Sequence, residues 1–101
     1  MTLREWLETR TPAPPPRLLH RIVDVLGPAA SDEASPRPLV DAAERLLRDL
    51  TAKPTLGRDS ALDLLTVDAL TTYAFECAAS SPDMLLAATT DAIQRLGAVA
   101  G

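Results

Sequence analysis

The chain has 101 residues, 47% hydrophobic and 24% charged, with a net charge of −4 and a pI of about 4.8. That is the length and composition of one globular domain, able to bury a modest core without disulfides or metals. The acidic balance argues against a nucleic-acid binder, which needs a basic face, and one cysteine with one histidine excludes an internal disulfide and leaves a soft-metal site short of ligands.

Thr2-Leu3-Arg4-Glu5 has the form of a capping box and predicts a short first helix, with Leu3, Trp6 and Leu7 on one face. Two turns are marginal alone, so Trp6 is expected to dock on the remaining helices. Residues 12–16, within TPAPPP, form a proline-rich connector, since successive prolines lack amide donors and favour an extended form. Pro12 and Pro15 satisfy a P-x-x-P spacing, which is a weak motif alone; a stiff connector is the better reading. A second helix is predicted from about Pro16 to Leu26, with Leu18, Leu19, Ile22, Val23 and Leu26 inward and Gly27-Pro28 as its stop. His20 and Asp24, four apart on its outer side, form an expected surface pair.

Residues 28–37 are small, polar and proline-punctuated, and read as a mobile loop. A third helix is expected from about Pro38 to Thr51, with Leu39, Ala43, Leu46, Leu47 and Leu50 inward. Asp41 with Arg45, and Glu44 with Arg48, are acid-before-base pairs that suit a solvated face. Residues 59–79 form the predicted central helix, apolar on two sides and capped by Asp59 or Ser60. Leu62, Leu65, Ala69, Leu70, Tyr73 and Cys77 make one stripe; Leu64, Val67, Phe75 and Ala78 make another. A helix apolar on nearly every side needs neighbours on every side. Ser81 and Pro82 open a last helix to about Val99, with Leu85, Leu86, Thr89, Ala92, Ile93 and Leu96 inward, in a hairpin with the central one. The expected fold is all-α: a small bundle of four main helices plus a short N-terminal one.

Charge is distributed unevenly along the chain. Residues 1–58 carry nine basic and eight acidic side chains, whereas residues 59–101 carry Arg95 against six acids. The start is charged and amphipathic rather than signal-like, and the apolar runs are far short of a membrane span; a cytoplasmic protein is expected. Nine of the ten basic residues are arginine, and Ala and Pro are abundant, a pattern that hints at a GC-rich bacterial genome.

No sequence motif for a catalytic nucleophile, a phosphate loop or zinc is present, and no enzyme or cofactor is expected. The remaining chemical candidate is the polar seam Asp68–Thr72–Glu76. Its two carboxylates are oxygen ligands of the kind Mg²⁺ prefers, but eight residues of helix separate them by about 12 Å. A single ion would need acids from another helix. Asp63 lies near an apolar edge and needs a partner or water there.

Residues 65–76, LTVDALTTYAFE, resemble a helix of the all-α polyprenyl (trans-isoprenyl) diphosphate synthases, and the ending Leu96-Gly97-Ala98-Val99-Ala100-Gly101 resembles the next helix of that family. The resemblance covers roughly residues 60–101. The family's Asp-rich DDxxD motifs are absent, Val67 stands where it usually has glycine, and Asp41 and Asp49 are isolated. The resemblance therefore implies a non-catalytic relative, in which the matching region helps pack the helical core and the dimer.

The functional expectation is a non-enzymatic interaction or accessory protein acting through helix packing. Its expected interface is Leu64, Val67, Thr71, Phe75 and Ala78, and its partner a second copy or another protein, with neither nucleic acid nor membrane involved. The alternative is a Mg²⁺-dependent ligand binder using Asp68 and Glu76.

Overall fold

The structure is a computed structural model that describes residues 1–53, 57–79 and 82–100, and the side chains of these except at 58, 59, 82–85, 87 and 88. It is all-α: α1 (Leu3–Glu8), α2 (Pro16–Leu26), α3 (Pro36–Thr51), α4 (Arg58–Ala78) and α5 (Pro82–Ala100), with a 3-10 turn at Gly27–Ser31. The Cα radius of gyration is 13.2 Å, which is what a close-packed chain of this length gives. The expected opening at Ser81 and the inward Leu85 lie outside the described residues and side chains.

The capping box at α1 forms as the sequence expects. The Thr2 amide donates to Glu5 Oε1 at 2.9 Å, and the Glu5 amide donates to Thr2 Oγ1 at 3.2 Å. These bonds hold the Glu5 carboxyl below the usual glutamate range. Leu3 and Leu7 are fully buried. Trp6 meets Tyr73 of α4 edge-on, with ring centroids 6.2 Å apart and planes at 90°. The Arg10 guanidinium covers the Trp6 ring at 4.0 Å, a cation–π contact. Trp6 is thus the anchor that fastens a helix too short to persist alone.

The connector reaches α2 through Pro15, and Pro16 occupies a first-turn position of the helix, where a missing amide costs nothing. Leu18, Ile22 and Leu26 are buried. Gly27 ends α2 at φ +59°, in the left-handed region that favours glycine. The stretch expected as a loose loop is instead folded against the N-terminus. Its 3-10 turn buries Ala30. The Leu3 amide donates to the Asp32 carbonyl at 2.9 Å, and the Ala34 amide to the Met1 carbonyl at 3.0 Å. Small residues make this stretch look slack in sequence, but they also allow its backbone to approach and pair with another segment.

The third helix starts two residues before the expected Pro38. It packs against α2, α4 and α5, and buries Pro36, Leu39, Val40, Ala42, Ala43, Leu46 and Leu50. Val40 and Ala42 lie off the expected inward stripe; they are buried because α3, rather than α4, is the helix enclosed most widely. Leu47 is only half-buried.

The fourth helix begins at Arg58 with Gly57 as its N-cap, not at Asp59 or Ser60. It buries one line of residues: Ser60, Asp63, Thr66, Leu70, Ala74 and Ala78. The steps of three and four make this a single helical stripe. The expectation of enclosure on every side therefore fails on the outer side, where Leu64 and Leu65 are exposed. On α5, Ala92 is buried and Leu96 packs on the core. Leu86 and Ile93, expected inward, are 71% and 66% exposed.

Candidate functional site

The polar end of the buried α4 stripe is satisfied by charge rather than by apolar packing. Asp63, with its side chain 8% exposed, takes a two-pronged bond from Arg21 of α2. Arg21 Nε donates to Oδ1 at 2.8 Å, and the guanidinium Nη2 to Oδ2 at 3.2 Å. That bond raises the Arg21 pKa, against the opposing effect of burial. This is the partner that Asp63 needed. The Thr66 hydroxyl donates to the Leu62 carbonyl at 2.7 Å. Among the described residues, no buried side-chain nitrogen or oxygen lacks a hydrogen-bond partner. With Asp63 and Thr66 turned inward, Leu64 and Leu65 must face out, because neighbouring positions on a helix are about 100° apart.

Arg95 fixes the roll of α5 in the same way. It meets Asp41 and Glu44 of α3 and Asp91 of its own helix. The Glu44 contact is two-pronged, with Nη2 to Oε1 at 2.9 Å and Nε to Oε2 at 3.3 Å. Glu44 is accordingly held below the usual glutamate range, first by the hydrogen bond from Arg95 and then by the nearby charges of Arg95 and Arg48. The expected Glu44–Arg48 pair forms, at 3.8 Å, and Asp91 pairs with Arg95 four residues along α5. The expected Asp41–Arg45 pair does not, because Arg95 takes Asp41. Arg45 instead donates to the Val25 carbonyl at 3.0 Å, in the last turn of α2, where a cation suits the helix dipole.

The expected His20–Asp24 pair also fails: Asp24 is held by Arg21 at 2.8 Å. His20 lies beside an open groove of about 600 Å³, lined also by Arg4, Leu19, Val23 and Asp24. No nucleophile lines it. A second groove, of about 350 Å³, is lined by Arg21, Arg45, Arg48 and Asp49 among others. Arg21 is committed to Asp63 and Asp24, and Arg45 to the α2 carbonyl. The Cys77 thiol is pushed up in pKa by burial, which disfavours the reactive thiolate.

Asp68 and Glu76 both lie on the exposed side of α4, in line with Ala61, Leu65 and Thr72. No group of three or more His, Cys, Asp or Glu able to hold a metal is present among the described residues, so no further acid joins these two there. Of the expected interface residues, only Leu64 is exposed, at 46%. Val67 and Phe75 are half-buried and pack on the chain's own core, Thr71 is half-buried, and Ala78 is completely buried. Ala78 is therefore part of the interior and cannot contribute to an outer surface.

The large apolar side chains that do reach solvent are Met1, Leu64, Leu65, Leu86 and Ile93 among the described residues. Four of these five lie on α4 and α5. Spacing alone turns Leu65, Leu86 and Ile93 inward. The charged residues correlate with the observed orientations: Asp63 of α4 faces Arg21 and Arg95 of α5 faces Asp41 and Glu44. No protein-family model, curated protein or solved structure matches the chain, so nothing among known proteins bears on the resemblance to the polyprenyl diphosphate synthases. Among the described residues, no helix is long and apolar enough to cross a membrane.

Proposed function

We propose that this chain is a non-enzymatic interaction or accessory protein, acting through helix packing on the outer side of α4 and α5. The observation that carries the reading is the exposure of Leu64, Leu65, Leu86 and Ile93, at 46%, 53%, 71% and 66%. Singly exposed leucines are ordinary on a protein surface, whereas contiguous apolar patches mark contact surfaces; these four side chains are carried by two helices that pack together. Of the interface expected from the sequence, Leu64 belongs to this set, Val67, Thr71 and Phe75 are half-buried, and Ala78 is inside.

The test is a photo-crosslinking amino acid placed at Leu65 or Ile93 in the cells that make the protein, with light scattering of the pure protein over a dilution series. A discrete adduct from both positions, and none from a control at Arg17 on the exposed side of α2, is the expected result. A concentration-dependent rise in mass would identify the partner as a second copy. A constant monomer mass together with no adduct at either position would refute an interaction surface on these helices.

A further inference from the structure

From Asp59 to Gln94 the sequence contains no Lys, Arg or His. Two of the acids in that span are consumed internally, Asp63 by Arg21 and Asp91 by Arg95. Asp68 and Glu76 are not: both are exposed, and neither forms an ion pair among the described residues. They share the outer face of α4 with Leu65, three and eleven residues along, which keeps all three within an arc of about 80° around the helix axis. On α5 the exposed positions Leu86, Thr90, Ile93, Gln94, Gly97 and Ala98 carry no charge. Arg95, the base of α5, is turned away and held by three carboxylates. The exposed positions of the two helices therefore carry apolar side chains and acidic points and, among the side chains described, no base.

We propose that the surface receives a basic amphipathic helix from a different protein rather than a second copy of this chain; the inference rests on the interaction reading above. In a two-fold contact the same patch meets itself, which sets Asp68 and Glu76 against an equally acidic face with no counter-charge. Like charges brought together at an interface disfavour that pairing, and opposite charges around an apolar centre favour and steer the correct one. A helix with leucines on one face and lysine or arginine along its flanks answers both features: its leucines cover Leu65 and Ile93, and its bases meet Asp68 and Glu76.

The probe is a labelled helical peptide of about 18 residues, five turns, with a leucine face flanked by lysine. Its twin has glutamate in place of every lysine. Binding to the full chain is followed by fluorescence anisotropy, alongside the solution mass of the protein alone. The expected result is a monomer that binds the lysine peptide at least about tenfold more tightly than the glutamate peptide, with affinity falling as salt rises. The double variant Leu65→Ser/Ile93→Ser should lose about tenfold or more in affinity while keeping its helical circular dichroism. Asp68→Asn/Glu76→Gln should bring the two peptides within about threefold of each other. Equal binding of both peptides by the unaltered protein would overturn the charge inference and leave the interaction surface standing. Lysine-peptide binding that ignores Leu65→Ser/Ile93→Ser would overturn the assignment to this face, and a stable dimer would give the surface to a second copy. Absence of binding to both peptides by a chain that still crosslinks at position 65 or 93 would overturn the basic-helix partner alone; absence of both would remove the interaction reading with it.

Discussion

The α2–α3 half of the molecule and the α4–α5 pair solve the problem of burial in opposite ways. In α2 and α3 every fully buried residue is apolar, and no large apolar residue of either helix is exposed. In the first half of α4 the polarity is inverted. Ser60, Asp63 and Thr66 are inside, while Leu64 and Leu65 are in solvent. On α5, Leu86 and Ile93 are outside and Arg95 faces the neighbouring α3. The lesson is that amphipathic spacing reads orientation well where a helix has one apolar side. Where a helix is apolar all round, a few charged pairs choose among near-equal orientations. Once a carboxylate such as Asp63 is inside, it has to keep its partner on the other helix, because a buried charge left unpaired costs more than one exposed apolar side chain.

This contrast can be broken or sharpened by substitution, and the largest effects should fall in the α2–α3 half. Leu39→Ala, at a fully buried position, should lower unfolding free energy by about 3 kcal/mol, the usual cost of lost burial plus a cavity; urea denaturation measures it. Arg21→Ala should cost about 2–3 kcal/mol by leaving Asp63 buried without its partner. Asp63→Ala should cost clearly less, since Arg21 is 32% exposed and keeps Asp24. Equal costs would show that the pair does not set the roll of α4. Thr2→Ala removes one half of the capping box and should cost about 1 kcal/mol, unless α1 is held by Trp6 alone.

A pH series separates the charged contact of α5 from its apolar ones. The pKa of Glu44 is lower in the folded chain than in the unfolded one. Its contribution to stability is therefore present above the ordinary glutamate pKa, about 4.3. It is lost as pH falls through the lower folded value. The stability difference between the unaltered chain and Glu44→Gln should be constant near neutrality and shrink on acidification below that range. A difference independent of pH would mean that Arg95 does not hold α5 through Glu44. The smallest effect is expected for Leu65→Ala and Ile93→Ala, which should change stability by no more than about 0.5 kcal/mol, as for other surface substitutions. A cost near that of Leu39→Ala would place those side chains in the chain's own core and end the contrast.

Much of the fold is legible in the chain itself. The capping box at Thr2, the stop at Gly27 and the spacing of Leu18, Ile22 and Leu26 are local signals, and each acts within one or two turns. The same holds for the inward Leu39, Ala43, Leu46 and Leu50. The candidate site is legible only in part. Asp68 and Glu76 stand out as the exposed polar seam of α4, and Leu64 belongs to the stripe that the sequence offers as an interface. Leu65, Leu86 and Ile93 escape a reading by spacing because both helices offer apolar residues on several sides, so the pattern fits more than one rotation.

By itself, the sequence determined the helices, their approximate ends, the acidic character of residues 59–101 and the need of Asp63 for a partner. These depend on backbone propensity, capping chemistry and formal charge, which require no knowledge of what lies across the core. Tertiary structure decided which helix is enclosed, which carboxylates Arg21 and Arg95 reach, and so which leucines of α4 and α5 stand in solvent. Those outcomes depend on residues 42 and 51 positions apart in the chain. Only packing brings such residues together, and their strict distance and geometry demands fix the rotation that hydrophobic burial leaves open.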